Sequence, residues 1–374
     1  MTQLTAQEVD KKYNESIDLS LFKEGPEHFE SSKKLADTLE KSLSTYGFFS
    51  LINHGIDTQT FEELKAIAQS ILELPVEEQG KYLAGTWKSD LEDRTKSLGA
   101  ERGQGYKPKG YWSMRNGVED SIIHYNFNKM LHPSFFDETI NKYPEPARVH
   151  LKEIADYFRY LHNVVLRKIT ILCDIILEIP EGFLWDNYFS MLYHNMKPED
   201  EAKVGKNWLR GHSDSGGFTF ITSQPILSLQ IRDYYTGEWK YVGHTPNALI
   251  VNIAYAMEFI IGGYFKSSIH RVVSPPDDQK NYRRLVLIYF SGPKSTSIVD
   301  PEPLNSPKLK RLGFEKPAEW EKITFSHWNN EKGRIFGKKA VNDSAGVEPN
   351  LRWHQAESNF TIDKARKRFK VIEI

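Results

Sequence analysis

Four short runs, LSLQIR (227–232), ALIVNI (248–253), IHRVV (269–273) and RRLVLIYF (283–290), decide the fold class. In the first, Leu227, Leu229 and Ile231 alternate with Ser228, Gln230 and Arg232, the period of two that belongs to a strand with one buried face. The other three are rich in β-branched residues and are separated by Gly, Pro, Asp and Asn, so they read as short strands joined by turns. Such strands predict a sandwich or jelly roll from about residue 188 onward. Upstream the period is 3.6. Leu35, Leu39 and Leu43 line one face of a helix over 31–46, with Ser31 as its N-cap and Gly47 just past its end. The strand FFSLI (48–52) follows, and then a helix capped by Asp57 that carries Phe61, Leu64, Ile67 and Ile71 until Leu74-Pro75 stops it. Leu151, Ile154, Phe158, Leu161, Val165, Ile169, Leu172 and Ile176 define one long scaffold helix, which leaves His150 and His162 off the stripe and facing solvent. Residues 76–145 are polar and punctuated by Gly and Pro, a long loop of functional character. A further helix is expected within 320–340.

The chain has 374 residues, a net charge of −1 and no long block of one sign, which argues against nucleic acid as the main partner. Its hydrophobic fraction of 39% supports a large core. One cysteine, Cys173, excludes an intrachain disulfide and any CxxC site, and fits a reducing, cytoplasmic or nucleocytoplasmic compartment. The N-terminus lacks the basic and apolar regions of a secretory signal. Residues 248–265 contain Asn252, Glu258 and two glycines, and read as two buried strands rather than a membrane span. Twelve histidines beside one cysteine direct any metal site toward imidazole and carboxylate ligands.

In RGHSDSGG, His212 and Asp214 are two apart, so on an extended segment both point to one face and can meet one ion. The same spacing occurs in His28-Phe29-Glu30, so the pair alone proves little. A second histidine, His270, interrupts or ends a later strand, and Arg284 sits on the next. Two histidines and a carboxylate on one face of an octahedral ion leave three positions open, an arrangement for catalysis on Fe(II). A nearby arginine can hold a carboxylate through a bidentate fork. His244, in GHTPN, is a rival third ligand, and His54, between turn residues Asn53 and Gly55, reads as ordering a turn.

With these residues in place the chain resembles the isopenicillin N synthase-like branch of the Fe(II)/2-oxoglutarate-dependent dioxygenases. The likeness runs from about residue 15 to 293, through ESIDLSLF (15–22), GFFSLINHGID (47–57), GHSDSG (211–216) and KSSIHRVVSPP (266–276). It implies an α+β fold with a mainly β core: a double-stranded β-helix (jelly roll) flanked by helices, in three parts. These are a helical N-terminal region (1–185), the jelly-roll core (186–295) and a C-terminal extension (296–374). It implies His212, Asp214 and His270 as Fe(II) ligands, Arg284 as the clamp on the far carboxylate of 2-oxoglutarate, and O₂ as the oxidant of a small organic substrate. Registering on Arg284 rather than Arg283 keeps Tyr289 and Phe290 at the family's aromatic pair. In the family's Arg-x-Ser the third residue is here Val286, its cosubstrate tyrosine falls on or near Asn195, and its GD is Ala254-Tyr255. By the resemblance the long loop borders the substrate pocket, which makes Tyr106, Tyr125 and Phe127 candidates for its wall, with packing as the competing reading; His194, just before the iron strand, reads as a pocket residue or a buried core histidine, and Arg210, on the strand face of His212, as a partner for a substrate anion or an edge salt bridge. Two other functions stay open at this point: an iron oxidase that does not use 2-oxoglutarate, and a jelly-roll binding protein without turnover.

Overall fold

A strand whose side chains are buried on both faces reads as a continuous apolar run, and LVLIYF at 285–290 is one. The computed structural model describes residues 12–13, 15–84, 104–109, 122–128, 140–190, 195–201, 207–234, 236–318, 320 and 322–329. Thirteen strands form two sheets among these residues. They are β1 (Lys12–Tyr13), β2 (Ser16–Asp18), β3 (Phe48–Ile52), β4 (Gly105–Lys107), β5 (Ile122–Asn128), β6 (Asn195–Glu201), β7 (Asn207–His212), β8 (Phe218–Thr222), β9 (Leu229–Arg232), β10 (Trp239–Val242), β11 (Leu249–Ile253), β12 (His270–Val273) and β13 (Leu285–Phe290). The order is β1-β10-β9-β12-β7 in the smaller sheet and β2-β3-β11-β8-β13-β6-β5-β4 in the larger, antiparallel except where β1 joins β10 and β2 joins β3. This is the jelly roll read from the sequence, with helices beside it.

Alternation along the strands divides the core in two. Val286 and Ile288 of β13, Ile221 of β8, Ile250 of β11, Ile231 of β9 and Val272 of β12 meet between the sheets. Leu285, Leu287 and Tyr289, with Phe218, Phe220, Leu249 and Val251, face the other way into a second core with the helices. Register holds the layers together: Ile250 and Ile288 both stand opposite Ile221. The helices on this outer face are α1 (Phe29–Thr45), α2 (Thr58–Leu72), α3 (Leu151–Tyr160) and α4 (Arg167–Leu177). In α2 the Asp57 carboxylate accepts from the Thr60 amide at 2.7 Å, the cap expected. Helix α1 starts earlier than its serine signal, because a 3₁₀ turn over Pro26–His28 feeds directly into it.

Three expectations change. The long helix is interrupted between α3 and α4 by a π-helical turn, Leu161–Leu166, and the extra residue in that turn swings His162 inward to 2% exposure rather than out to solvent. Of the two strands expected within 248–265, the second is a short helix, α5 (Tyr255–Ile260), buried on every side, a case in which an apolar run carries no period to separate strand from helix. The expected loop over 76–145 contributes a helical turn at Val76–Gly80 and two strands, β4 and β5, that extend the larger sheet. In the C-terminal region α6 (Pro307–Arg311) packs on α4, and the Ser306 hydroxyl, which caps it, also donates to the Leu177 carbonyl at 2.5 Å. The expected helix is present over 325–329; its remainder lies outside the described residues. Among the described residues no helix is long and apolar enough to cross a membrane.

Candidate metal centre

His212 ends β7 and His270 begins β12, and the pairing of these strands sets the two histidines opposite each other. Their rings lie 4.4 Å apart between centroids. Asp214, two residues beyond His212, turns Oδ1 toward both: it lies 3.6 Å from His212 Nε2 and 3.7 Å from His270 Nε2. One ligand atom from each residue falls within 4.8 Å of the others, the one such cluster of three among the described residues. His244 is elsewhere, bonded through Nδ1 to the Ser223 hydroxyl at 2.9 Å.

The loop between β7 and β8 is held from below by the start of α5. The amides of Tyr255 and Ala254 donate to the carbonyls of Asp214 and Gly217 at 2.7 and 2.8 Å, and Ala256 and Met257 reach Ser215 and Gly216. Gly216 is required because a Cβ there would lie 2.1 Å from the Ser291 carbonyl oxygen. Helix α5 is itself backed by the C-terminal region, with Trp328 against Tyr255 and Trp320 against Phe259. The Ser213 and Ser267 hydroxyls, 3.0 Å apart, tie the two ligand segments together.

Asp214 Oδ2 accepts from Thr219 Oγ1 at 2.6 Å and from Asn252 Nδ2 at 2.9 Å, which leaves Oδ1 for the imidazoles. Burial alone would raise the Asp214 pKa, but His270, His212 and the Thr219 hydroxyl outweigh it and hold the carboxyl ionised, well below the usual carboxylate range. Two imidazole nitrogens and one ionised carboxylate oxygen are a donor set that suits Fe(II). Sequence reasoning missed Thr219 and Asn252. Their signal is positional: Thr219 pairs with Asn252 in register, one residue inside each strand from the metal end, on the face that carries Ile221 and Ile250.

Arg284 immediately precedes β13 and is 4% exposed, on the same strand face as Val286 and Ile288. Arg283 faces the surface and pairs with Glu73, the C-cap of α2. Asn195 opens β6 opposite Phe290, in the row of Thr219 and thus at the metal end of the sheet. Arg210 lies on β7 two residues before His212. His194 lies outside the described residues. The aromatic residues expected at a pocket pack instead on the outer face. Tyr106 donates to the Ile71 carbonyl of α2, Tyr106 and Tyr125 meet edge to face at 4.7 Å, and Phe127 stacks on Tyr143 at 5.7 Å. In a strand the alternate residues take the other face, and here they are Lys107, His124 and Asn126, all buried. His54 orders its turn as expected: its Nε2 meets the Asn247 carbonyl at 2.9 Å and its Nδ1 accepts from the Ile56 amide at 3.2 Å.

Comparison with known proteins agrees with this geometry. Residues 185–293 match the 2OG-Fe(II) oxygenase superfamily, and residues 15–131 match the family described as non-haem dioxygenase in morphine synthesis N-terminal. The chain is 25% identical to scopoletin 8-hydroxylase of Arabidopsis thaliana over 89% of its length and 84% of the relative's. It is 23% identical to 1-aminocyclopropane-1-carboxylate oxidase of Dictyostelium mucoroides over 89% and 95%. Among solved structures, a 2OG-Fe(II) oxygenase family protein of Caulobacter crescentus aligns with TM-score 0.69 at 18% identity, covering 87% of this chain and 99% of that one. A full-length Neurospora crassa protein solved in complex with alpha-KG and thymine aligns with TM-score 0.69 at 17% identity, covering 87% and 98%. The chain belongs to the 2OG-Fe(II) oxygenase superfamily, with the N-terminal region of the non-haem dioxygenases, and is a 2-oxoglutarate-dependent Fe(II) dioxygenase.

Proposed function

We propose that His212, Asp214 and His270 hold the Fe(II), that Arg284 pairs with the distal carboxylate of 2-oxoglutarate, and that the enzyme hydroxylates or desaturates a small organic molecule. The observation that carries this reading is the meeting of three ligand atoms within 4.8 Å between the sheets, with Arg284 enclosed on the facing one. Bound there, Fe(II) couples the oxidative decarboxylation of 2-oxoglutarate by O₂ to oxidation of a substrate C–H bond, with succinate and CO₂ released. The chain's own part is positional. Thr219 and Asn252 fix which carboxylate oxygen faces the metal, α5 holds the loop that carries Asp214, and the apolar residues of the inner core keep water away.

We place the enzyme in the isopenicillin N synthase-like branch, as one catalytic unit of helical region, jelly roll and C-terminal extension divided near 185 and 295. The buried Cys173 supports a reducing, cytoplasmic setting. Relatives named for scopoletin and feruloyl CoA, and a neighbour solved with thymine, support a planar, unsaturated substrate. The test is anaerobic: Fe(II) is added and then 2-oxoglutarate, and the visible metal-to-ligand charge-transfer band is recorded. The band forms with the wild-type protein and is absent from His212→Ala. Failure of the wild-type protein to give the band with iron bound would overturn the cosubstrate assignment.

A further inference from the structure

A carboxylate offers two oxygens and about four lone pairs, more than one arginine fork satisfies. On β13 the inner-face residue next to Arg284 is Val286, which donates nothing. The register row through Val286 leads to polar groups. Val286 stands opposite Glu199 of β6, Glu199 opposite His124 of β5, and His124 opposite Lys107 of β4. His124 and Lys107 alternate with the outer-core residues Tyr125 and Tyr106, so both belong to the face that Val286 shares. Both are enclosed, His124 at 0% and Lys107 at 6% exposure. Neighbouring strands are about 4.8 Å apart, which puts His124 about 10 Å and Lys107 about 14 Å from Val286 along the sheet, before its curvature shortens both spans. A lysine and an arginine bridged by one carboxylate cover that separation. An enclosed ammonium is stabilised by each carboxylate that reaches it, and the reaction brings one to this face.

We infer that Lys107 and His124 complete the binding site for the distal carboxylate of 2-oxoglutarate, as the second grip beside Arg284. The inference rests on the proposed function and narrows it: the cosubstrate's far end is read by β4 and β5 as well as by β13. Specificity for a dicarboxylic 2-oxoacid then depends on residues from the N-terminal half of the chain.

The experiment measures dissociation constants anaerobically, from the charge-transfer band of the Fe(II) enzyme, for 2-oxoglutarate and for 2-oxobutanoate, which lacks the distal carboxylate. The ratio of the 2-oxobutanoate constant to the 2-oxoglutarate constant reports the distal site alone. Lys107→Met lowers the ratio by about tenfold or more, the worth of a charge-assisted hydrogen bond, with 2-oxobutanoate binding unchanged. His124→Phe lowers it less, Lys107→Arg keeps it, and Val286→Ser added to Lys107→Met restores part of it by supplying a hydroxyl on the same face. A ratio within twofold of wild type in both Lys107→Met and His124→Phe overturns the inference, as expected of a lysine held wholly by protein carboxylates. Equal weakening of both ligands also overturns it. If Lys107→Met does not fold, His124→Phe read with the same two ligands decides. Absence of the band in wild type would instead strike the proposed function, so the two failures are distinguishable.

Discussion

The two faces of the larger sheet are built from the same strands and do different work. On the outer face Leu285, Leu287, Tyr289, Phe218 and Phe220 meet α1 to α4 in an apolar layer, and its aromatic rings pack edge to face. On the inner face Ile221, Ile250 and Ile288 are interleaved with Thr219, Asn252, Arg284, His124 and Lys107, all buried. Enclosing polar and charged groups costs stability unless they are paired, so the inner face is tolerable only because its polar groups bond to one another or to what binds there. The outer face supplies the stability that this arrangement draws on.

Substitutions on either face should therefore separate folding from chemistry. The largest effect on chemistry is His270→Ala. Activity falls below detection and Fe(II) binding is lost, while the urea midpoint moves little, because the ring removed is replaced by water at the metal end. A midpoint loss as large as the outer-face variant's would erase the contrast. Leu287→Ala does the reverse: unfolding by urea shows a loss of about 3 kcal/mol, and the folded fraction binds 2-oxoglutarate as wild type does. Thr219→Val lies between them. It frees Asp214 Oδ2 from one of its two donors, and Fe(II) affinity, measured by competition with a chelator, falls by about 10- to 100-fold with a stability change near 1 kcal/mol. Unchanged iron affinity in that variant would show that Asn252 alone orients the carboxylate.

The same division explains what could be read from the chain. Residues on strands with one partner face or with a short fixed spacing were legible: Leu227/Leu229/Ile231 gave the strand, and His212-x-Asp214 with His270 gave the cluster, because a period of two maps directly onto a face. Strands β4 and β5 were not, since Gly105–Lys107 is too short to show a period and residues 122–127 of β5 are buried or half-buried on both faces. Their reading as a loop put Tyr106, Tyr125 and Phe127 at the pocket and overlooked Lys107 and His124 on the other face. Helix α5 lacked any polar face to mark it. Thr219 and Asn252 were hidden for a different reason: a threonine and an asparagine in apolar strands carry no signal until register brings them to one carboxylate oxygen.

His162 shows how a local departure from regular geometry defeats a periodic reading. It falls off the apolar stripe of a straight helix, yet the π-helical turn carries it beneath β13, where Nδ1 meets the Tyr289 hydroxyl at 2.8 Å and the ring lies against Trp185. Burial lowers its pKa to about 4, from an ordinary value near 6.5. Between those values the unfolded chain binds a proton that the folded protein does not, so stability rises with pH across this window and is lost as pH falls from about 6.5 toward 4. By pH 5 the loss from this residue is about 2 kcal/mol. His162→Gln retains a partner for the Tyr289 hydroxyl but cannot titrate. Urea unfolding at pH 7 and pH 5 should show a smaller drop for the variant than for wild type by that amount. An equal drop in both would mean that the acid sensitivity of the outer face has another source, and that the π-helical turn places His162 for packing alone.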